Sequence, residues 1–185
     1  MEYHLTTPCT AEDLAPLKAG DTVLLSGVVY TARDQAHKRM LEALDKGEPL
    51  PFDLTGSAIY YVGPTPERPG EVIGSAGPTT SGRMDAMSPR LLDLGNKIMI
   101  GKGKRSEAVK AAVVRNGAVY LAALGGAGAL MAQSVQTLEV IAWPDLGCEA
   151  VRRLTVANMP LTVILDAHGG DLYLSGPQAY LDAAK

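Results

Sequence analysis

A nine-residue segment near the middle of the chain combines the groups that bind anions. Residues 77–85 read Gly-Pro-Thr-Thr-Ser-Gly-Arg-Met-Asp, so three hydroxyl residues are followed by a glycine and by Arg83. Hydroxyls, open backbone N–H groups and a guanidinium fork together match a carboxylate. A simpler interpretation, which composition alone favours, is that residues 79–81 cap a helix beginning near Gly82. The segment therefore indicates either an anion site or a helix start.

Two further cationic loops accompany this segment. Arg33 lies within residues 31–37, at a predicted strand-to-helix junction, and Lys102 stands between two glycines after a predicted strand. Loops at strand ends are where α/β folds place ligands. Residues 101–104 lack the spacing and the hydroxyl residue of a phosphate-binding P-loop. Three converging cations would instead suit a small dianion such as a dicarboxylate.

The elements that must position these loops follow from the apolar patterns. The front half of the chain is rich in strands and the back half alternates strands with helices, which predicts an α/β fold, a layered β/β/α domain with mixed sheets. The pattern predicts a tight turn at 125–126, and it predicts that the helix at 82–94 is interrupted near Ser88 and Pro89. The patterns predict strands at 22–30, 58–62, 72–76, 97–100, 118–123, 138–143, 161–166 and 171–174, and helices at 32–46, 82–94, 106–116 and 127–135.

Length, charge and cysteine content restrict the class of protein. The 185 residues suit one domain, 1–185, in which residues 1–19 would form an N-terminal arm and a short helix. A net charge of −3 predicts neither a nucleic-acid nor a membrane partner, and no apolar run reaches the ~20 residues of a membrane span. Cys9 and Cys148 have no metal-ligand spacing, so we expect free thiols, no bound metal and a cytoplasmic setting.

Several motifs in order along the chain resemble the β-subunit, or C-terminal half, of class I fumarases and L-tartrate dehydratases, which are iron–sulfur hydro-lyases. The resemblance covers essentially the whole chain, and several separate motifs in the same order make it specific. The motifs that carry it are Thr31-Ala32-Arg33-Asp34, Gly77 to Asp85, Ile100-Gly101-Lys102-Gly103, Gly125-Gly126-Ala127, Asp145 to Ala150 and Pro160 to Gly169.

The resemblance implies a division of labour between two chains. A cysteine-bearing α-subunit would hold the 4Fe–4S cluster, whose open iron acts on the leaving hydroxyl. This chain would be a swivelling domain that closes over the site and binds no cluster itself, in agreement with its two isolated cysteines. We expect an α2β2 assembly, and we expect the isolated domain to expose an apolar face or to pair with a second copy.

The resemblance also implies roles for individual residues. Arg33, Arg83 and Lys102 match the positions that hold the substrate carboxylates. Thr79 matches the threonine that moves a proton at the carbon next to a carboxylate, a task for which a hydroxyl needs strong activation. Three further candidates are less defined: Thr80 beside Thr79, Asp34, which would pair with Arg33 or cap the following helix, and His37, for which a substrate-orienting and a structural role are both open.

The leading interpretation of function is the β-subunit of a two-chain fumarate hydratase, which interconverts malate with fumarate and water. The alternatives are an L-tartrate dehydratase β-subunit, a hydratase for a methylated analogue, and a non-catalytic dicarboxylate-binding module. Lys104 and Cys148 depart from the residues frequent in fumarases, which leaves the substrate within the hydroxy-diacid class open.

Overall fold

The computed structural model describes residues 1–123, 126 and 128–183. These described residues form seven strands and six α-helices, and 3-10 helices occupy Ser81–Met84 and Pro144–Glu149. The strands are β1 (Glu2–Thr6), β2 (Thr22–Thr31), β3 (Ala58–Tyr60), β4 (Ile98–Gly101), β5 (Val119–Ala122), β6 (Val135–Ala142) and β7 (Val151–Leu165). The helices are α1 (Ala11–Leu14), α2 (Asp34–Lys46), α3 (Ser88–Asp93), α4 (Glu107–Asn116), α5 (Gly128–Gln133) and α6 (Leu172–Ala183).

The strands of the described residues all belong to one mixed sheet. Strands β1 to β5 run parallel in the order of the chain, and β7 is antiparallel to β5 and β6. Strand β7 also pairs antiparallel with β2, so the pairings β2–β3–β4–β5–β7 return to β2 and form a closed circuit. The predicted α/β class with mixed strand directions is therefore confirmed.

Side chains that alternate between the two faces of each strand form two separate hydrophobic cores. In β3, Ala58 and Tyr60 belong to a core that receives side chains from all five strands of the circuit, so this core fills the interior. Ile59 between them, with Tyr61 just after the strand, belongs to a second core that also contains residues of α2, α3 and α4. The helices thus cover the outside of the circuit.

Capping residues in the sequence correctly predict where several helices begin or end. Ser106 accepts a hydrogen bond from the Val109 N–H at the start of α4, and Gly117 ends that helix in the left-handed conformation, as predicted. Helix α2 likewise ends at Gly47 with a positive φ. The predicted interruption near Ser88 is confirmed, because a 3-10 helix precedes α3.

Four expectations about elements differ from the structure. The N-terminal arm contains strand β1, which pairs in parallel with β2. Residues 72–76 form no strand, and β7 begins ten residues before the predicted start at 161. Residues 172–174 begin helix α6 because Asp171 accepts the Tyr173 N–H, which favours a helical turn over an extended chain. Gly125, the first residue of the predicted turn at 125–126, lies outside the described residues.

None of the helices within the described ranges combines the length and apolar composition of a membrane-spanning segment.

Candidate functional site

Arg33 and Arg83 meet at the carboxylate of Asp34. Arg33 occupies the junction between β2 and α2, and Arg83 lies in the 3-10 helix Ser81–Met84. Asp34 Oδ1 lies 2.8 Å from Arg83 Nε, and Asp34 Oδ2 lies 3.9 Å from Arg33 Nε. Two arginines separated by fifty positions are thus brought to one carboxylate, where their positive charges are adjacent.

The hydrogen-bonding capacity of Arg33 is largely unused. Its side chain is only 19 % exposed, yet among the described residues Nε has no hydrogen-bond partner. Its Nη2 lies 3.5 Å from Glu149 Oε1, which is longer than a charge-assisted hydrogen bond. A Cβ at Gly63 would overlap Arg33 Nη1, so the glycine leaves room for the guanidinium. A largely shielded cation with an unused buried donor is suited to a ligand carboxylate.

Glu149 lies at the candidate site, although the sequence pattern does not predict it there. Its Oε2 accepts the Gln35 N–H at 2.8 Å near the start of α2, which aims Oε1 at Arg33. The segment that carries it is anchored by Arg152, which donates to the carbonyl oxygens of Gly147 and Cys148 at 2.9 and 3.0 Å. The one available signal was an acidic residue within the motif 145–150.

Backbone hydrogen bonds place Thr79, Thr80 and Lys102 side by side. The Thr79 N–H donates to Tyr61 O at 2.8 Å, and Thr80 forms a parallel bridge with Lys102. The Lys102 side chain is exposed, and within the described part of the chain it forms no ion pair. The structure therefore groups Arg33, Arg83 and Asp34 through side chains, and Thr79, Thr80 and Lys102 through the backbone.

The hydroxyls of this loop do not act as helix caps. Thr80 is the residue before the 3-10 helix, and its side chain makes no capping hydrogen bond. Ser81 Oγ instead accepts the Lys102 N–H at 3.0 Å and the Tyr120 hydroxyl at 2.9 Å. The serine thus fastens the 77–85 loop to the loop after β4, and the threonine hydroxyls are not used for capping.

The buried side chain of Arg105 supports the loop of residues 77–85. The Arg105 guanidinium lies over the rings of Tyr61 and Tyr120, at 5.3 and 4.9 Å from their centroids. Its Nε donates to Asp85 Oδ1 at 2.6 Å and its Nη2 to Ser88 Oγ at 3.0 Å. Because Asp85 closely follows Arg83 in the chain, Arg105 fixes the base of the cationic loop. The basic run 102–105 concealed this role in the sequence.

Gly101, and not Gly82, is the glycine that the loop requires for close approach. A Cβ at Gly101 would overlap Ser81 Oγ, whereas a Cβ at Gly82 would lie 3.6 Å from its nearest neighbour, Lys104 O. We expect Gly101→Ala to lower the free energy of unfolding by about 1–3 kcal/mol, since overpacking displaces Ser81 and its partners. Urea denaturation should show no comparable loss for Gly82→Ala, and equal stability of the two variants would contradict this interpretation.

His37 is buried beneath Arg33. Its Nδ1 lies 2.9 Å from Arg33 O, and its ring packs edge-on against Tyr61. Among the described residues its Nε2 has no partner. Burial lowers the pKa of His37 to about 4, so the ring is neutral at pH 7 and donates from Nδ1 to the Arg33 carbonyl. The geometry favours a supporting role at the Arg33 backbone.

This burial makes stability depend on pH. The unfolded chain takes up a proton at His37 near pH 6.5, whereas the folded chain does so only near pH 4. The contribution of neutral His37 to the free energy of unfolding is therefore fully present above pH 6.5 and is lost as the pH falls towards 4. At pH 5 the loss is about 2 kcal/mol. His37→Gln should show a correspondingly weaker loss between pH 7 and 5 in urea denaturation. The exposed His4 offers the control His4→Gln, and an unchanged pH dependence in His37→Gln would contradict the prediction.

The described residues do not fit an iron–sulfur cluster. Cys9 is buried near Thr6, where desolvation raises the pKa of its thiol to about 11, and Cys148 is exposed in another segment. Within the described ranges no group of three or more potential metal-ligating side chains is found. Two separated thiols, one of them held protonated, cannot supply a cluster ligand set.

The family described as Fumarase C-terminus matches residues 1–176. The chain is 42 % identical over 179 residues to the putative L(+)-tartrate dehydratase subunit beta of Methanocaldococcus jannaschii, covering 94 % of this chain and 91 % of the relative. It is 32 % identical over 187 residues to the L(+)-tartrate dehydratase subunit beta of Escherichia coli, covering 98 % and 92 %.

A longer relative contains the same segment. The chain is 39 % identical over 189 residues to fumarate hydratase 2 of Leishmania major, covering 93 % of this chain and 33 % of the relative. It therefore spans about one third of that relative's length. Because the family matches nearly all of the sequence and these relatives share more than 30 % identity over most of it, the chain belongs to the Fumarase C-terminus family.

Proposed function

We propose that this chain is the β-subunit of a two-chain hydro-lyase that interconverts malate with fumarate and water. The observation that carries the proposal is the convergence of Arg33 and Arg83 on Asp34, with the Arg33 Nε buried and unpartnered within the described residues. Relatives named fumarate hydratase and tartrate dehydratase subunit beta support the reaction class.

In this proposal the cationic residues bind and orient the dicarboxylate. Arg33 and Arg83 receive one carboxylate through their free nitrogen donors, and Lys102 receives the other from the neighbouring loop. Thr79 moves the proton at the carbon next to the bound carboxylate, and Thr80 is the adjacent second candidate. A threonine hydroxyl is a weak base, so Thr79 needs a partner-chain group that accepts its proton.

The remaining machinery belongs to a second chain. In Leishmania fumarate hydratase 2 the matching segment is about one third of the protein, whereas the M. jannaschii and E. coli relatives are named as separate β-subunits. We propose that an α-subunit supplies the other part, holds the cluster for which the described residues of this chain have no ligand set, and assembles as α2β2. The closed sheet would act as one rigid unit that swivels over the partner's site.

The second candidate function is that of an L(+)-tartrate dehydratase β-subunit. Two relatives with that name are covered over more than 90 % of their length. Tartrate and malate are both four-carbon dicarboxylates, so the same arginine pair would serve either substrate. A dicarboxylate-binding module without catalysis is the alternative outcome of the test.

Anaerobic co-expression with a candidate α-chain tests the proposal. The assembled protein should form fumarate from malate, and the β-chain alone should be inactive. Oxaloacetate formation from tartrate, at a higher kcat/KM than malate turnover, would favour the tartrate dehydratase. Full activity of the isolated chain would contradict the two-chain proposal, and binding of dicarboxylates without turnover by the assembled protein would favour the module.

A further inference from the structure

Two carboxylates face the arginine pair, and they contact it in different ways. Asp34 Oδ1 lies 2.8 Å from the Nε of Arg83, and within the described part of the chain the terminal Nη1 and Nη2 of that guanidinium have no recorded hydrogen bond. Glu149 Oε1 instead faces a terminal nitrogen, the Nη2 of Arg33, at 3.5 Å. A substrate carboxylate binds an arginine best through two nitrogens of its fork. Asp34 therefore leaves the fork of Arg83 open, whereas Glu149 faces part of the fork of Arg33.

We propose that Glu149 competes with the substrate carboxylate for Arg33 and thereby sets the affinity of the site. This inference rests on the proposed function, because it takes Arg33 as a ligand of the dicarboxylate. The internal carboxylate weakens binding of the dianion, by repulsion and by partial occupation of Nη2. A site that holds its substrate less tightly also releases its product faster.

Glu149 can oppose binding of the substrate carboxylate to Arg33 while its own carboxylate stays in place. Its Oε2 accepts the Gln35 N–H at 2.8 Å, which holds the carboxylate at the start of α2. The contact to Arg33 is longer than a charge-assisted hydrogen bond, so Glu149 attracts the guanidinium without satisfying it. Both side chains are mostly shielded from solvent, at 19 % and 17 % exposure, which limits screening of the pair.

Charge neutralisation at Glu149 is the direct test. Glu149→Gln keeps an oxygen that accepts the Gln35 N–H, and it removes the charge that faces Arg33. The inhibition constant of succinate against malate turnover should fall about fivefold in the assembled two-chain enzyme, a gain of the size of one partly shielded ion pair. The KM for malate should fall as well, and kcat should not rise.

Asp145→Asn is the matched control. Asp145 lies in the same 3-10 segment and also contacts α2, through Arg39 at 2.9 Å, but neither a hydrogen bond nor an ion pair joins it to Arg33. Succinate inhibition should stay within about twofold of the wild type. If succinate bound equally more tightly to both variants, the cause would be net charge in general, and the proposed competition for Arg33 would be overturned. Unchanged or weaker succinate binding in Glu149→Gln would overturn it as well.

A second variant keeps the test decisive if Glu149→Gln does not assemble. Glu149→Asp retains the negative charge but is one methylene shorter, so its carboxylate cannot reach both the Gln35 N–H and Arg33. It should tighten succinate binding by a smaller factor, and no change would overturn the inference. Absence of malate turnover in the wild-type assembly would instead overturn the proposed function, and this inference with it.

Discussion

Replacing Arg33 by lysine should lower kcat/KM for malate about 100-fold in the assembled enzyme. Lysine keeps the positive charge but lacks the planar fork and the buried Nε that Arg33 holds beside Asp34. Hydrogen bonds to charged groups contribute about 1.5–3 kcal/mol each, so losing one or two at the substrate carboxylate accounts for a factor of this size. Steady-state kinetics on the co-expressed complex measures it directly.

Arg115→Lys is the control for a general effect of the substitution. Arg115 forms a two-point ion pair with Asp93 near the ends of α3 and α4, and its side chain is 49 % exposed. The substitution Arg115→Lys should leave kcat/KM for malate unchanged within about twofold. If Arg33→Lys retained wild-type kcat/KM with normal assembly, Arg33 would be a structural residue and not a substrate ligand.

Replacing Arg105 by methionine should destabilise the domain by about 3–5 kcal/mol. Its guanidinium is fully buried between two tyrosine rings and pairs with Asp85, so methionine leaves that carboxylate without its charge partner. For a chain of this length the loss corresponds to a Tm about 10 °C lower. Urea denaturation of the variant and the wild type gives the difference.

A double-mutant cycle separates the ion pair from the packing around it. Asp85→Asn combined with Arg105→Met should cost less than the sum of the two single substitutions, by 1 kcal/mol or more, because the residues contact each other at 2.6 Å. Arg105→Lys should fall between the wild type and Arg105→Met. A loss below 1 kcal/mol in Arg105→Met, with additive double substitution, would show that the buried pair does not support the loop.

Local signals predicted the parts of the site that depend on short segments. The apolar run of β2 followed by the amphipathic helix α2 placed Arg33 at a strand-to-helix junction, and the structure has it there. Ser106 and Gly117 marked the two ends of α4 because caps are formed by neighbouring residues. The grouping of Arg33 with Arg83 followed from the resemblance and from the rule that loops at strand ends cluster.

The contacts of Glu149 and Arg105 join segments far apart in the chain, so local sequence patterns do not predict them. Glu149 reaches the start of α2 across more than a hundred residues, and that approach depends on the pairing of β7 with β2. The early part of β7 was missed because Arg152, Arg153 and Asn158 interrupt its apolar pattern. Arg105 follows a lysine in a loop, and no local pattern predicts the two tyrosine rings beside it.

A crystal structure of the two-chain complex with malate bound tests the central claim most directly. One malate carboxylate should lie within hydrogen-bonding distance of both the Arg33 and the Arg83 guanidinium groups, with Asp34 still at Arg83 Nε. Malate held entirely by residues of the other subunit, with Arg33 and Arg83 making no contact with it, would contradict the account.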